Sequence, residues 1–471
     1  MKLSPLFVAV ALGLNFSVAE DAAVTFHHAP RPLPEGAKTS DWPRFLGAQD
    51  QAHCVETKLL GEFSADGVDK IWEYPMGAGY ASPVIVGDRL VAFHRITNEE
   101  QVLCLHPETG KKLWSHEYPV DYKDRYGYAA GPRASAVIAG NQVFTFGVTS
   151  WLHAFDLATG KVLWKHDCAT EYGVPQYFFG SGSSPLVVGD VVIVNLGGAD
   201  ELSVAGFDKT SGELKWKTKH AWSQSYASPI PMELHGKSRV LVFAGGEGKP
   251  STGGLMSIDP KTGVLDDAFP WRAERYTSVN ASSPLPCGKN RVFVTQAYVD
   301  SGSPCNGGVM VEMTPEWKWK EVWTAPELGC HWMTPVYLDG YIYAFSGEKE
   351  YACDLVCYDA ATGKLVWKES PTWEGNLKDG RKIPMGFKRG SLLRVDGKFL
   401  CLGEWGTLAW LDLSPKGMKI LSKTQPFLSQ QSWTLPPVCR GLLYLNQHEK
   451  DELSGAAPRL ICIDLRAPGK K

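Results

Sequence analysis

The chain has no surplus of charge: 48 Lys and Arg stand against 51 Asp and Glu, a formal net charge of −3. Nucleic-acid or anionic-membrane surfaces need a basic excess, so neither partner is expected. Beyond the first residues there is no apolar run near the ~20 residues that a membrane-crossing helix needs. Cys-x-x-Cys-His is missing, which excludes an attached c-type haem. No His, Asp or Glu cluster has metal-ligand spacing, so no metal site is expected. The start of the chain has the charged, apolar and small-residue zones of a secretory signal: Lys2, then Leu6 to Leu14, then Ser17-Val18-Ala19. Residues 1–19 are therefore read as a signal peptide cleaved after Ala19, and the protein as exported, periplasmic or extracellular. No cysteine follows closely, Cys54 being the first, so no lipid anchor is expected there.

What the chain has in abundance is one phrase: Thr or Ser, Gly, three residues, Trp. It stands as Thr109-Gly110 to Trp114, Thr159-Gly160 to Trp164, Ser211-Gly212 to Trp216 and Thr362-Gly363 to Trp367. An aspartate precedes most copies of the turn: Asp156, Asp208, Asp259, Asp359, Asp412 and Asp464. Its side chain can accept hydrogen bonds from the turn's own backbone, which is a structural role. Two residues before it the position is mostly small, as in Cys104, Ala154, Gly206, Ser257, Cys357 and Cys462, with Trp410 as the exception. Upstream, each copy opens on a Ser/Thr-Pro or related phrase such as Ser82-Pro83, Ser184-Pro185 or Thr334-Pro335, followed by a short aliphatic run and a Gly turn. The openings recur roughly every 44 to 57 residues, the period of a four-stranded propeller blade.

Eight such openings predict an all-β fold, a single eight-bladed propeller of four-stranded antiparallel blades over residues 67–466. Residues 20–66 form an N-terminal extension and 467–471 a tail. The last copy stops at Asp464 without its Trp strand, while Lys70-Ile71-Trp72-Glu73-Tyr74 matches Lys112-Leu113-Trp114-Ser115-His116. A strand over about residues 68–75 should therefore complete the last blade and hide an open sheet edge. Trp72, Trp114, Trp164, Trp216 and Trp367 are assigned as residues that dock one blade on another. Eleven cysteines leave disulfide pairing undecided; Cys104, Cys357 and Cys462 share a small buried position, and Cys287 with Cys305 could staple one divergent blade.

The Trp-bearing turn, the Ser-Pro openings and the lead-in Asp41-Trp42-Pro43-Arg44-Phe45-Leu46-Gly47 resemble the pyrroloquinoline-quinone-like (PQQ-like) β-propeller superfamily, which includes quinoprotein alcohol dehydrogenases and the outer-membrane assembly protein BamB. For the dehydrogenases the resemblance implies PQQ held on Ca²⁺, two adjacent cysteines ringed against the cofactor and a Trp-Asp phrase carrying a general base. This chain has no Cys-Cys pair and no Trp-Asp dipeptide. No cofactor is therefore assigned, PQQ with calcium remaining the alternative, and no catalytic residue is named.

Connections before the innermost strands differ from copy to copy, which places specificity there. They supply the candidate ligand-binding residues at the channel mouth: Arg133, Asn280, His331, Trp332, Lys388, Arg389 and Trp433. Arg133, Lys388 and Arg389 could bind an anion, with Trp332 or Trp433 as a stacking face. The alternative is that these groups pair with carboxylates such as Glu404 and solvate a channel. The expectation is an exported, non-catalytic binding or scaffold protein for a protein partner in the cell envelope or a small anionic ligand, against a quinoprotein oxidoreductase with a divergent site.

Overall fold

The computed structural model describes residues 24–468 except 65, 66, 249, 299–302 and 304; the proposed signal peptide and the last three residues lie outside the described residues. Eight four-stranded antiparallel blades follow one another around a ring. The first comprises Val84–Val86, Arg89–Ile96, Glu99–Leu105 and Lys112–Pro119, innermost strand first. The eighth comprises Val438–Cys439, Leu442–Gln447 and Arg459–Asp464, and its outer strand is Lys70–Pro75, with Trp72 opposite Cys462. The closure predicted from the Trp72 segment is thus present. Among the described residues the one helix is the short Cys168–Tyr172, and a hairpin of Thr372–Asn376 and Lys382–Gly386 is inserted before the seventh blade.

The repeated phrase works between blades. Trp114 Nε1 donates to the Leu157 carbonyl of the next blade at 2.9 Å, and Trp72, Trp164 and Trp216 donate likewise to Pro107, Lys209 and Pro260. Trp367 reaches Ser414, and Trp323, which the spacing did not single out, reaches Ala360. Under the Trp72, Trp114, Trp164, Trp216 and Trp323 rings sits the turn glycine of the following blade. A Cβ on Gly160 would lie 2.5 Å from the Trp114 ring, and one on Gly363 would lie 2.5 Å from Trp323. Gly160 also has φ +72°, so glycine is required both by backbone conformation and by the close approach.

Within a blade, the same tryptophan lies opposite the small position. Cys104, Ala154, Gly206, Cys357 and Cys462 are paired with Trp114, Trp164, Trp216, Trp367 and Trp72. A Cβ on Gly206 would meet the Trp216 ring at 2.2 Å, so the small residue makes room for the indole. In the seventh blade the sizes are exchanged: Trp410 faces Ser422. The aspartates hold the turns: Asp156 accepts from the Thr159 amide and hydroxyl at 2.9 and 2.7 Å, and Asp359 does the same with Thr362.

With no outer tryptophan on the seventh blade, the N-terminal extension covers its junction with the eighth. Phe63 stacks on Trp410 with ring centroids 6.1 Å apart and donates its amide to Ser422 Oγ, while Leu60 donates to the Leu465 carbonyl. Further upstream the extension crosses the end of the central channel. Trp42 bridges to Ile85 of the first blade, the Pro43 carbonyl accepts from Ile138 of the second, and the Ala52 carbonyl accepts from Arg394 of the seventh. The intervening turn is held by Arg44 on Asp50 at 2.5 Å. All eleven cysteines are free thiols; Cys287 and Cys305 form no staple.

Candidate functional site

A serine or threonine stands just before most of the innermost strands, and these hydroxyls link the blades around the axis. The amides of Ser82, Ser135, Ser184, Ser228 and Ser283 donate in turn to the hydroxyls of Ser135, Ser184, Ser228, Ser283 and Thr334 at 2.9 to 3.2 Å. The girdle stops at Ser391, whose buried hydroxyl has no partner. It surrounds a cavity of about 710 Å³ whose floor is Phe45, Leu46 and Ala52 of the extension. The cavity is thus a cup: the crossing segment closes one end, and the connections before the inner strands form the mouth. Its size is that of small-molecule sites.

Aromatic side chains dominate the upper wall. The Trp332 and Trp433 rings are 4.6 Å apart, Tyr80 lies 5.0 Å from Trp433, and Tyr128 meets Trp433 edge-on at 5.4 Å. Across the cup stand Phe179 and Tyr226, 5.5 Å apart. Tyr226 donates to Glu247 at 2.8 Å, and burial pushes this carboxyl above its ordinary range. Such rings bring large apolar faces with polar edges, suited to stacking against a flat ligand surface.

Each arginine of the wall holds a carboxylate, and Lys349, which also lines the cavity, shares Glu348 with Arg275. Arg389 grips Glu404 through Nε at 3.0 Å and Nη2 at 2.5 Å, lies 4.3 Å over the Trp332 ring, and shares Glu404 with the indole N–H of Trp433 at 2.8 Å. Arg133 holds Asp124 at 2.6 Å amid Tyr80, Tyr122 and Phe179, and Arg275 meets Glu348 at 3.4 Å. Asp124 and Glu404 are almost fully buried, so solvent screens them little. Two unit charges 4 Å apart interact by about 4 kcal/mol at an effective dielectric of 20. An anion approaching either arginine therefore also meets that arginine's own carboxylate, which offsets part of the attraction.

Five of the seven residues assigned to the mouth line the cavity: Arg133, His331, Trp332, Arg389 and Trp433. His331 accepts or donates at Nε2 to the Tyr298 hydroxyl at 3.0 Å, while its buried Nδ1 has no partner. Desolvation, with Arg389 nearby, pushes it down to about 3, so the ring is neutral at ordinary pH. Asn280 lies behind the wall. Its side-chain N–H groups donate to the Ala244 and Trp271 carbonyls at 2.8 and 3.1 Å, which makes it a brace of the fourth blade. Lys388 turns away, 3.9 Å over the Trp405 ring and 4.0 Å from Glu350. The three cations therefore do not converge, and the Arg389–Glu404 pairing weighed from the sequence is the arrangement found. Sequence reasoning missed Tyr80, Tyr128, Asp124, Glu348 and Tyr298. Aromatic residues cluster in these connections, but hairpin tips such as Glu348 reach the mouth only through the ring's curvature.

The fold and cup define an eight-bladed β-propeller with an axial binding cavity. A family model described as "Outer membrane protein assembly factor BamB" matches residues 98–299. The quinoprotein ethanol dehydrogenase of Pseudomonas aeruginosa is 28% identical over 182 residues, 35% of this chain, and the chain spans only 28% of that relative's length. Among solved structures, BamB from Moraxella catarrhalis superposes with a TM-score of 0.54 at 13% identity, covering 86% of this chain and 99% of that one. The quinohemoprotein alcohol dehydrogenase of Comamonas testosteroni gives 0.53 at 13%, covering 92% and 81%, and that of Pseudomonas putida HK5 gives 0.55 at 11%, covering 91% and 81%. These structural likenesses are likenesses of fold. With the repeats and the eight-bladed ring, the matches support the PQQ-like β-propeller superfamily.

A calcium-held quinone does not fit the residues present. Among the described residues no three His, Cys, Asp or Glu are grouped to hold a metal ion. No adjacent cysteines exist to ring against a cofactor; Asp124 and Glu404 are held by arginines and Glu247 by Tyr226, and Glu350 lies 4.0 Å from Lys388.

Proposed function

We propose that this protein is an exported, non-catalytic binding propeller that takes a small molecule into its axial cup. The observation that carries the reading is the cup itself: a deep, aromatic-lined cavity whose far end is shut by the chain's own N-terminal extension. A ring that served only as a frame would gain nothing from closing its channel while keeping a cluster of aromatic rings at the mouth, and apolar surface left in water is unfavourable. The placement of Trp332 and Trp433 gives a ligand a stacking surface, and the neighbouring ion pairs give it hydrogen-bonding groups.

The competing reading is a quinoprotein oxidoreductase, favoured by the match to the ethanol dehydrogenase. Mature protein incubated with PQQ and Ca²⁺ separates the two. The expected result is no stoichiometric quinone spectrum and no alcohol-dependent dye reduction; turnover would replace the binding reading with the oxidoreductase. A scaffold role toward an envelope protein, drawn from the likeness to BamB, uses the outside of the ring and is tested by pull-down from the native envelope.

A further inference from the structure

The cup's chemistry says more about its occupant than the sequence did, provided that the binding reading above holds. We propose that the cup binds an uncharged polyhydroxylated ligand, a neutral sugar or short oligosaccharide, stacked on the Trp332–Trp433 platform and hydrogen-bonded by the spare guanidinium donors of Arg389 and Arg133 and by the acceptors of the cavity wall.

Three observations converge on this class. The first is the balance of charge. Each arginine of the wall already holds a carboxylate, and the side chains of Asp124 and Glu404 are 1% and 2% exposed, so neither counter-ion can swing away to admit an anionic ligand. The second is the kind of hydrogen bonding on offer. A guanidinium has five N–H donors, and Arg389 spends its Nε, one Nη2 and one Nη1 donor on Glu404 and the Glu348 carbonyl, which leaves two donors in a wall that also carries the Glu348 and Glu350 carboxylates. Hydroxyl groups donate and accept at once, and are satisfied by a wall that offers both donors and acceptors, where a carboxylate ligand would need donors alone.

The third is the shape and polarity of the wall. Aromatic rings present flat apolar faces that match the C–H face of a pyranose, while their N–H and O–H edges are held in place: Trp433 by Glu404, Tyr226 by Glu247 and Tyr298 by His331. Two further polar atoms, His331 Nδ1 and the hydroxyl of Ser391 where the serine girdle breaks, are buried at the wall without partners. Leaving polar groups unpaired costs stability unless a ligand or solvent pairs them. A neutral His331 suits an acceptor for a hydroxyl proton and gives an anion no added attraction.

The test is an array of neutral and uronic-acid oligosaccharides probed with the mature protein, followed by calorimetry and tryptophan fluorescence on the hits, with PQQ and the fluorophore ANS as probes of the cup itself. The expected result is binding of one or more neutral glycans with altered tryptophan emission, little change between low and high salt, and about a tenfold or greater loss in Trp433→Ala. Trp433→Phe, which keeps a ring on the platform, should retain most of the affinity and guards against a variant that simply misfolds. Salt-sensitive binding of only uronic acids or PQQ overturns the ligand class while the cup remains a binding site. If no glycan binds but ANS is bound and the Trp433→Ala variant releases it, the sugar assignment alone falls. If none of the probes binds, the cavity reading falls with it.

Discussion

The outer belt of the ring and its axial mouth are built from the same eight blades, yet they follow opposite rules. In most of the belt one local solution is copied: indole over the next blade's glycine, indole N–H on the next blade's carbonyl, small residue opposite the indole; in the fourth blade Asp267 stands where the indole would be. At the mouth the side chains are not copied, and alternate connections supply Arg133, Tyr226, Trp332 and Trp433 in turn. The difference teaches that repetition here stores stability, because each blade buries its face only against its neighbours, while divergence stores recognition. The seventh blade shows the boundary. Its belt position has lost the indole, and Phe63 of the extension stacks on Trp410 in its place.

Substitutions in the belt should therefore hurt most. Gly160→Val forces a branched side chain into the Trp114 ring at a left-handed backbone position, and should cost more than about 3 kcal/mol in denaturant unfolding, or prevent folding altogether. Trp114→Ala, which empties the same joint from the other side, should cost about 3–5 kcal/mol. A small loss in either would mean that the belt is not what holds the blades.

At the mouth, Arg389→Ala leaves Glu404 buried with its main partner gone and should destabilise by about 3 kcal/mol. The double variant Arg389→Ala with Glu404→Ala should recover much of this, and a strictly additive double variant would show that the pair is not coupled.

Glu100 lies between the first two blades, where it accepts from the Tyr118 hydroxyl at 2.7 Å and the Val148 amide at 2.8 Å. Burial pushes its carboxyl up to about 7. Because the folded state holds this proton more tightly than the unfolded chain does, stability falls as pH rises from about 4.5 to about 7 and stays at the lower level above that. Glu100→Gln should remove this slope, raising stability at pH 8 relative to wild type by up to about 3 kcal/mol; an unchanged slope in the variant would assign it to another group. The smallest effect is expected at the rim tip: Tyr351 is 82% exposed, and Tyr351→Ser should change stability by less than about 0.5 kcal/mol.

Most of the fold was legible because the belt is local in sequence. Gly160 and Trp164 are four residues apart, their spacing recurs, and the missing outer strand of the last blade could be found as a fifth copy around Trp72. Even the anomaly of Trp410 was visible, though not its cause, since Phe63 meets it across 347 positions of chain. The mouth was legible only as a list of residue types. Arg133, Lys388 and Arg389 look alike in sequence, yet one is boxed by tyrosines with Asp124, one turns onto Trp405, and one is clamped by Glu404. Asn280 likewise braces backbone behind the wall.

By itself, then, the order of residues determined the repeat, the number of blades and the way the ring closes, since each depends on contacts between a turn and a strand a few residues away or on a pattern shared by every copy. Only the tertiary structure decided that the channel is a cup closed by Phe45 and Leu46, and that its arginines are neutralised. Those properties depend on which carboxylate the curvature of the ring brings to each cation, and on a crossing segment whose anchors lie in the first, second and seventh blades.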